Sequence, residues 1–231
     1  MRVLNFSIAS MLMALVFVSG NVFARKHHNS FSTQAFQQSI TGAFDYYLLS
    51  LSWSPAFCSS KAGQKPEKQY QCHGHYGFVI HGLWPQYSKG QYPQNCGPEA
   101  HVPEEVSAIA LQAVPPMPPG DDALIDHEWR VHGTCSGLNM KQYFTAIKLA
   151  ASKIAIPAEL GEPKQPVRED FNTIVKWFID SNPGLQKQML QVITDKYHNL
   201  SEVRICFDKQ LNFLSCKNKK SSDSLSFLPV Q

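Results

Sequence analysis

Three of the nine histidines of this 231-residue chain lie in two short segments that also contain tryptophan. The first segment reads IHGLWP at 80–85 and the second reads HEWRVHGTC at 127–135. Imidazole titrates near neutral pH, so one histidine can accept a proton while another donates one. The two segments therefore predict an acid–base site formed by His81, His127, Glu128 and His132. A single histidine is as often a buried core residue, but three of them beside a glutamate favour a site.

Helical geometry would place three of these residues on one side of the second segment. At 100° per residue, Glu128 and His132 lie about 100° and 140° around the helix from His127. Arg130 lies at about 300°, so we expect it to point away as a surface charge. A zinc protease needs histidines at i and i+4, and the i to i+5 spacing here disfavours a shared metal ion. We expect no metal and no cofactor, with a metal-dependent hydrolase as the alternative.

Imidazoles and a carboxylate without metal are suited to an internal displacement at phosphorus. RNA carries its own nucleophile, the 2′-hydroxyl, so one histidine would deprotonate it and another would protonate the departing 5′-oxygen. A third, cationic histidine would stabilise the non-bridging oxygens. DNA lacks the 2′-hydroxyl and is expected to be inert. Trp84, beside His81, offers a flat face on which a base can stack.

The net charge is small, at +3 from 21 Lys+Arg and 18 Asp+Glu. This excludes a polybasic surface as the basis of tight nucleic-acid binding, so a local site must hold an anionic substrate. We expect RNA as the partner and a monomeric protein.

The elements that would position these residues are short strands and amphipathic helices. The patterns predict strands at 44–53, 76–80 and 203–207, and helices at 104–114, 123–132, 140–154 and 170–181. Gly82 and Pro85 are expected to end the second strand, so that His81 occupies a strand end. No repeat or linker divides the chain, and 43% of its residues are hydrophobic. This indicates one α+β domain over 44–231.

The segment 1–24 has the features of a secretory signal peptide. Arg2 precedes an apolar run at 8–18, and Ala24 follows as a small residue at which cleavage is expected. The run is too short to cross about 30 Å of hydrocarbon, so we expect no stable membrane association. Residues 25–43 are polar and are expected to form a flexible N-terminal arm. The protein would then be periplasmic or extracellular.

Six cysteines follow the predicted leader. An even number of cysteines in an oxidising compartment predicts three disulfide bonds, although these counts leave the pairing open. Paired CxxC motifs are absent from the sequence, which disfavours a structural metal site.

The two histidine segments resemble the signature segments of the ribonuclease T2 family of exported acid ribonucleases. FDYYLLSLSW at 44–53 and EVRICFD at 202–208 also resemble the first strand and the late core strand of that family, so the resemblance covers residues 44–216. It implies an α+β fold in which a central antiparallel β-sheet packs against several helices and is stabilised by disulfides. It also implies cleavage of RNA, without metal, to a 2′,3′-cyclic phosphate and then to a 3′-phosphate.

The resemblance also implies a role for each site residue. His132 matches the general base, His81 the general acid and His127 the phosphate-binding histidine. Glu128 matches the acid that supports the transition state, and Trp84 an aromatic residue of the base pocket. The implied disulfides are Cys58–Cys72, Cys96–Cys135 and Cys206–Cys216.

Val131 departs from the family pattern, which usually has lysine at that position. Either the transition state lacks one cation, or another lysine or arginine supplies it. This departure keeps a non-catalytic RNA-binding protein as an alternative. Gln86 stands where some relatives have an acid that helps to select the base, so base preference is left open. Tyr87 and Tyr92 are further candidates for stacking.

Overall fold

The computed structural model describes residues 40–161 and 169–217, without the side chains of Glu67 and Gln69. The predicted signal peptide and most of the predicted arm lie outside the described residues. The described chain forms four strands, β1 (Tyr46–Trp53), β2 (Phe78–Gln86), β3 (Leu190–Thr194) and β4 (Leu200–Phe207). Its helices are α1 (Ser54–Cys58), α2 (Gln69–His73), α3 (Glu104–Leu111), α4 (Asp122–Val131), α5 (Met140–Ser152) and α6 (Phe171–Ser181). Short 3₁₀ turns lie at Pro66–Lys68, Gly133–Cys135, Ala158–Leu160 and Lys187–Met189.

The four strands form one antiparallel sheet in the order β2-β1-β4-β3. Alternate residues of a strand face opposite sides of a sheet, and on β1 the residues Tyr47, Leu49 and Leu51 face the main hydrophobic core. Helices α3, α5 and α6 contribute their buried residues to the same core. The α+β prediction, with an antiparallel sheet packed against helices, is confirmed.

Polar side chains set the starts of the three helices with the clearest sequence signals. Asp121 accepts a hydrogen bond from the Leu124 amide at the start of α4. Asn139 and Gln142 form a reciprocal capping box at the start of α5. Asp170 accepts hydrogen bonds from backbone amides in the first turn of α6. These caps satisfy amides that have no partner within the helix, which explains why the helix predictions were accurate to a few residues.

The prediction that β2 ends near residue 80 is wrong, because the strand continues to Gln86. β2 is an edge strand, where a proline such as Pro85 can be tolerated. Ser50 pairs with Gly82 and Leu51 pairs with Ile80, so His81 is the additional residue of a β-bulge. A bulge changes the direction of a side chain without ending the strand, and here it changes the direction of His81. The sequence analysis also missed β3, α1 and α2.

Three disulfides connect the described chain: Cys58–Cys72, Cys96–Cys135 and Cys206–Cys216. They are the pairs that the family resemblance implied. Cys96–Cys135 joins the loop after β2 to the 3₁₀ turn that follows α4, and so links the two histidine segments. Among the described residues, none of the helices has both the length and the apolar character needed to span a bilayer.

Candidate active site

A cavity of about 710 Å³ opens on the side of the sheet opposite the main core. Strands β1, β2, β3 and β4 supply its floor, and α4 with the residue after it supplies one wall. It brings together all five residues that the sequence predicted for the site, namely His81, Trp84, His127, Glu128 and His132. It is also lined by Tyr46, Leu48, Gln86, Gly90, Tyr92, Gln191, Arg204 and Lys217.

His81 is held between two carboxylates. Its Nδ1 atom lies 3.2 Å from Glu202 Oε1, and its Nε2 atom lies 3.8 Å from Glu128 Oε1. Burial acts to lower the pKa of His81, but the hydrogen bond to Glu202 and the charges of both carboxylates outweigh it and raise that pKa. His81 therefore retains its proton to a higher pH than a free histidine does.

Glu128 is fully buried beside His81. Its Oε2 atom accepts a hydrogen bond of 2.8 Å from the Trp84 indole, whereas its Oε1 atom has no hydrogen-bond partner among the described residues. A Cβ atom at position 82 would lie 1.8 Å from Glu128 Oε2, so only glycine leaves room for this carboxyl group. Burial raises the pKa of Glu128 to about 7, and the group is partly protonated near neutral pH.

His132 follows α4 as its C-cap, with a φ of −113° that departs from the helix. Its Nδ1 atom is buried and has no hydrogen-bond partner in the described part of the chain. Burial, together with the charges of His127 and His81, lowers the pKa of His132 to about 3. The pKa of His127 is also lowered, by burial and by the nearby charges of Arg130 and His81. His132 is therefore neutral, and able to accept a proton, at all but strongly acidic pH.

The prediction that His127 and His132 lie too far apart around α4 to share a metal ion is wrong. His127, Glu128 and His132 each offer one atom, and the three atoms lie within 4.8 Å of one another. They come close because His132 caps the helix instead of continuing it. The spacing of residues thus does not exclude a metal ion at this position.

Arg130 is a half-exposed charge that does not line the cavity, as predicted, but its contact with His127 was not predicted. Its Nη2 atom lies 3.3 Å from Nδ1 of His127, and its Nε atom lies 3.7 Å from Glu99 Oε1. Residues at i and i+3 are neighbours on a helix, because three steps bring the chain most of the way around one turn. Val131 is buried at the position where the family usually has lysine.

Trp84 contacts several groups of the site. Its ring lies 5.3 Å from that of His132, 5.1 Å from that of His81 and 5.2 Å from the guanidinium carbon of Arg204. Tyr92 lies 5.8 Å from the His132 ring and also lines the cavity. Tyr87 packs against the main core instead. Trp84 therefore holds the histidines and Arg204 together, in addition to the stacking role predicted for it.

Two site residues were not predicted: Glu202 and Arg204, which lie two residues apart on β4. Arg204 Nε and Nη2 lie 2.6 Å and 2.5 Å from Glu202 Oε2. Period-2 alternation in EVRICFD places both residues on one face of the sheet, which was the available signal. Arg204 therefore supplies a cation to the cavity, whereas Val131, at the position where the family usually has lysine, supplies none.

Fold and site together define a class: an α+β protein with a cavity in which imidazoles lie among aromatic and carboxylate side chains. The model of the "Ribonuclease T2 family" matches residues 44–216. A "Probable ribonuclease" of Haemophilus influenzae is 31% identical over 216 residues, covering 88% of this chain and 70% of the relative. "Ribonuclease 3" of Arabidopsis thaliana is 29% identical over 206 residues, covering 79% of this chain and 87% of the relative.

Solved structures show the same fold. The structure of "RNase NT in complex with 5'-AMP" has a TM-score of 0.59 and 24% identity, covering 80% of this chain and 98% of the other. Ribonuclease MC1 from bitter gourd seeds has a TM-score of 0.57 and 24% identity, covering 80% of this chain and 100% of the other. The chain belongs to the ribonuclease T2 family and is an endoribonuclease of the T2 type.

Proposed function

We propose that the protein cleaves single-stranded RNA by transesterification with its own side chains, without a metal ion. The observation that carries this proposal is geometric: one cavity brings together His81 from β2 with His127, Glu128 and His132 from α4 and its C-cap. The environment raises the pKa of His81 and lowers that of His132 to about 3. Groups whose pKa values are displaced in opposite directions are suited to act as an acid and a base at one pH.

In the first stage, His132 accepts the proton of the 2′-hydroxyl, and the 2′-oxygen forms a bond to phosphorus. The bond from phosphorus to the 5′-oxygen breaks, and His81 donates its proton to that oxygen. The products are a 2′,3′-cyclic phosphate and a free 5′-hydroxyl. In the second stage the roles reverse: His81 deprotonates a water molecule, which attacks phosphorus, and His132 protonates the 2′-oxygen to leave a 3′-phosphate.

Two further groups act on the phosphate in this proposal. His127 stabilises the non-bridging oxygens, because a bound anion offsets the lowering of its pKa by burial and by Arg130. Glu128, with a pKa of about 7, donates a hydrogen bond to the developing charge while it is protonated. Trp84 and Tyr92 offer ring faces for a base.

We also propose that the protein is exported from the cytoplasm. Three disulfides are typical of proteins that fold in an oxidising compartment. Together with the leader predicted at 1–24, they support export to the periplasm or beyond, with 44–231 acting as one monomeric domain.

A DNA oligonucleotide with a single internal ribonucleotide tests the reaction. In excess EDTA, we expect cleavage only after the ribonucleotide, with a cyclic phosphate that later becomes a 3′-phosphate. His81→Ala and His132→Ala should each lower kcat/KM at least about 100-fold, because proton transfer contributes that much. His101→Ala is the control, because this exposed histidine pairs with Asp126 outside the cavity.

Three outcomes would contradict this proposal. Cleavage of an all-DNA strand would exclude the 2′-hydroxyl as nucleophile. Loss of activity in EDTA, restored by a divalent cation, would favour metal chemistry at His127, Glu128 and His132. Tight RNA binding without products between pH 4 and 8 would favour the non-catalytic alternative.

A further inference from the structure

We propose that Glu202 is the positioning residue for the general acid His81, and that Arg204 fixes Glu202 in that role. This inference rests on the proposed function, since it concerns the histidine assigned there as the acid. It adds a carboxylate and a guanidinium on β4 to a site that the two histidine segments define on β2 and α4.

The two oxygens of the Glu202 carboxylate have different partners. Oε1 lies 3.2 Å from His81 Nδ1, and Oε2 lies 2.6 Å and 2.5 Å from Nε and Nη2 of Arg204. Glu202 is only 12% exposed, and Arg204 is 23% exposed with its guanidinium over the ring of Trp84. Because Glu202 is held at both oxygens, it cannot rotate without losing one of these contacts.

The sheet itself sets the distance between Glu202 and His81. Strand β1 lies between β2 and β4, and its serines occupy the positions between the interacting side chains. Ser50 pairs with Gly82 on one side and with Arg204 on the other, and Ser52 pairs with Glu202. Serine is small, so side chains from β2 and β4 can meet above β1. The bulge at His81 directs the imidazole into this space.

The hydrogen bond from His81 Nδ1 to Glu202 has two chemical consequences. It holds the proton on Nδ1, which leaves Nε2 as the nitrogen that exchanges a proton with RNA. The negative charge of Glu202 also favours the imidazolium form, in which His81 can act as an acid.

The charged groups that face His81 differ in whether their charge stays constant with pH. From α4 and its C-cap these are Glu128, His127 and His132, and from β4 they are Glu202 and Arg204. The pKa of Glu128 is about 7, so this group loses its charge as the pH falls. Burial acts to raise the pKa of Glu202, but His81 and Arg204 outweigh it and lower that pKa to about 2. Glu202 is therefore the carboxylate that supports His81 throughout the working range.

Glu202→Gln tests the proposal, because glutamine keeps the size of the side chain and removes its charge. In the unmodified protein, kcat/KM should rise as the pH increases past the His132 pKa and fall as it exceeds the pKa values of His81 and Glu128, because both act in their protonated forms. Glu202→Gln should move the alkaline fall to lower pH by about one unit or more. The loss of kcat/KM in this variant should be small at acid pH and at least about tenfold at pH values above the shifted alkaline limb. The matched control is Asp126→Asn, which removes the carboxylate of another histidine–carboxylate pair, that of His101 and Asp126, outside the cavity.

Two further variants identify the part played by each side chain. Glu202→Asp keeps the charge and should restore part of the alkaline activity. Arg204→Gln removes a cation that lowers the His81 pKa, and it also removes the contact that fixes Glu202. If the contact with Glu202 dominates, the alkaline limb moves to lower pH, and Arg204→Lys moves it less. An alkaline limb that moves to higher pH would overturn the role given to Arg204. So would an Arg204→Gln profile that loses activity equally at every pH.

An NMR titration of the His81 ring separates this proposal from the proposed function. A lower His81 pKa in Glu202→Gln supports the positioning role even if the unmodified protein cleaves no RNA. An unchanged His81 pKa in a folded Glu202→Gln variant overturns the positioning role, even if the protein is an active ribonuclease. A loss of cleavage that is equal at every pH also overturns it.

Discussion

Along β1, neighbouring residues face two different environments. Leu49 and Leu51 lie against the main core beneath the helices, whereas Ser50 and Ser52 lie on the side that carries the cavity. Burial of apolar side chains stabilises the first face, at about 1.5–3 kcal/mol for each large residue. The second face places charged and polar groups under partial burial, which costs free energy unless they are paired. One face of the strand therefore holds the fold together, and the other positions the chemistry.

The unsatisfied polar atoms are all on the cavity side. Within the described ranges, the buried side-chain atoms without a hydrogen-bond partner are Ser50 Oγ, Glu128 Oε1 and His132 Nδ1. A buried group left without a partner costs about 1–3 kcal/mol. The site therefore carries a cost that the stability of the opposite face must offset.

The largest effect that we expect on stability comes from the disulfide Cys96–Cys135, which joins the second histidine segment to the loop after β2. Cys96→Ser together with Cys135→Ser opens a loop of 39 residues, which the chain-entropy relation values at about 4 kcal/mol. Urea unfolding of the oxidised parent and the double variant measures this difference. If the loss is below about 1 kcal/mol, burial alone holds the cavity wall in place.

The next largest effect should come from the apolar face. Leu49→Ala removes a fully buried side chain from the core and should reduce the free energy of unfolding by about 3 kcal/mol. The variant should retain the pH profile of RNA cleavage at temperatures where it stays folded. A shifted profile would show that the two faces of β1 are coupled rather than separate.

The smallest effect should come from the adjacent residue on the cavity face. Ser50→Ala removes a buried hydroxyl group that has no hydrogen-bond partner among the described residues, so the free energy of unfolding should increase by about 1 kcal/mol, the lower end of the cost of such a group. Thermal unfolding beside Leu49→Ala gives a matched comparison on one strand. A loss of about 2 kcal/mol or more would mean that the hydroxyl group has a hydrogen-bond partner, and that this face also contributes to stability.

Local signals predicted much of the fold. Local sequence patterns predicted α4, α5 and α6 to within a few residues, and in the structure polar side chains cap the start of each helix. The prediction failed where tertiary context outweighed local preference. Pro85 is tolerated because β2 is an edge strand. Glycine is needed at position 82 because the buried carboxyl group of Glu128 occupies the space that a Cβ atom would take.

In the candidate site, too, local signals predicted the residues, and the tertiary structure decided their contacts. The residue types and their clustering identified His81, His127, Glu128 and His132, and the structure gathers all four around one cavity. Helical angles did not predict the contact between Arg130 and His127, because residues at i and i+3 are neighbours on a helix. They also did not predict how close His127 and His132 come, because His132 is the C-cap and not part of the regular helix.

The sequence by itself determined the family, the longer helices and the candidate acid–base residues, because these depend on residue type and local spacing. Only the tertiary structure decided which carboxylate meets which imidazole. Glu202 and His81 are 121 residues apart in sequence, and they meet through strand register and a bulge. Burial, which only the folded chain creates, then moves the pKa values of Glu128 and His132 in opposite directions. Strand pairing and desolvation are properties of the whole chain, so no local pattern encodes them.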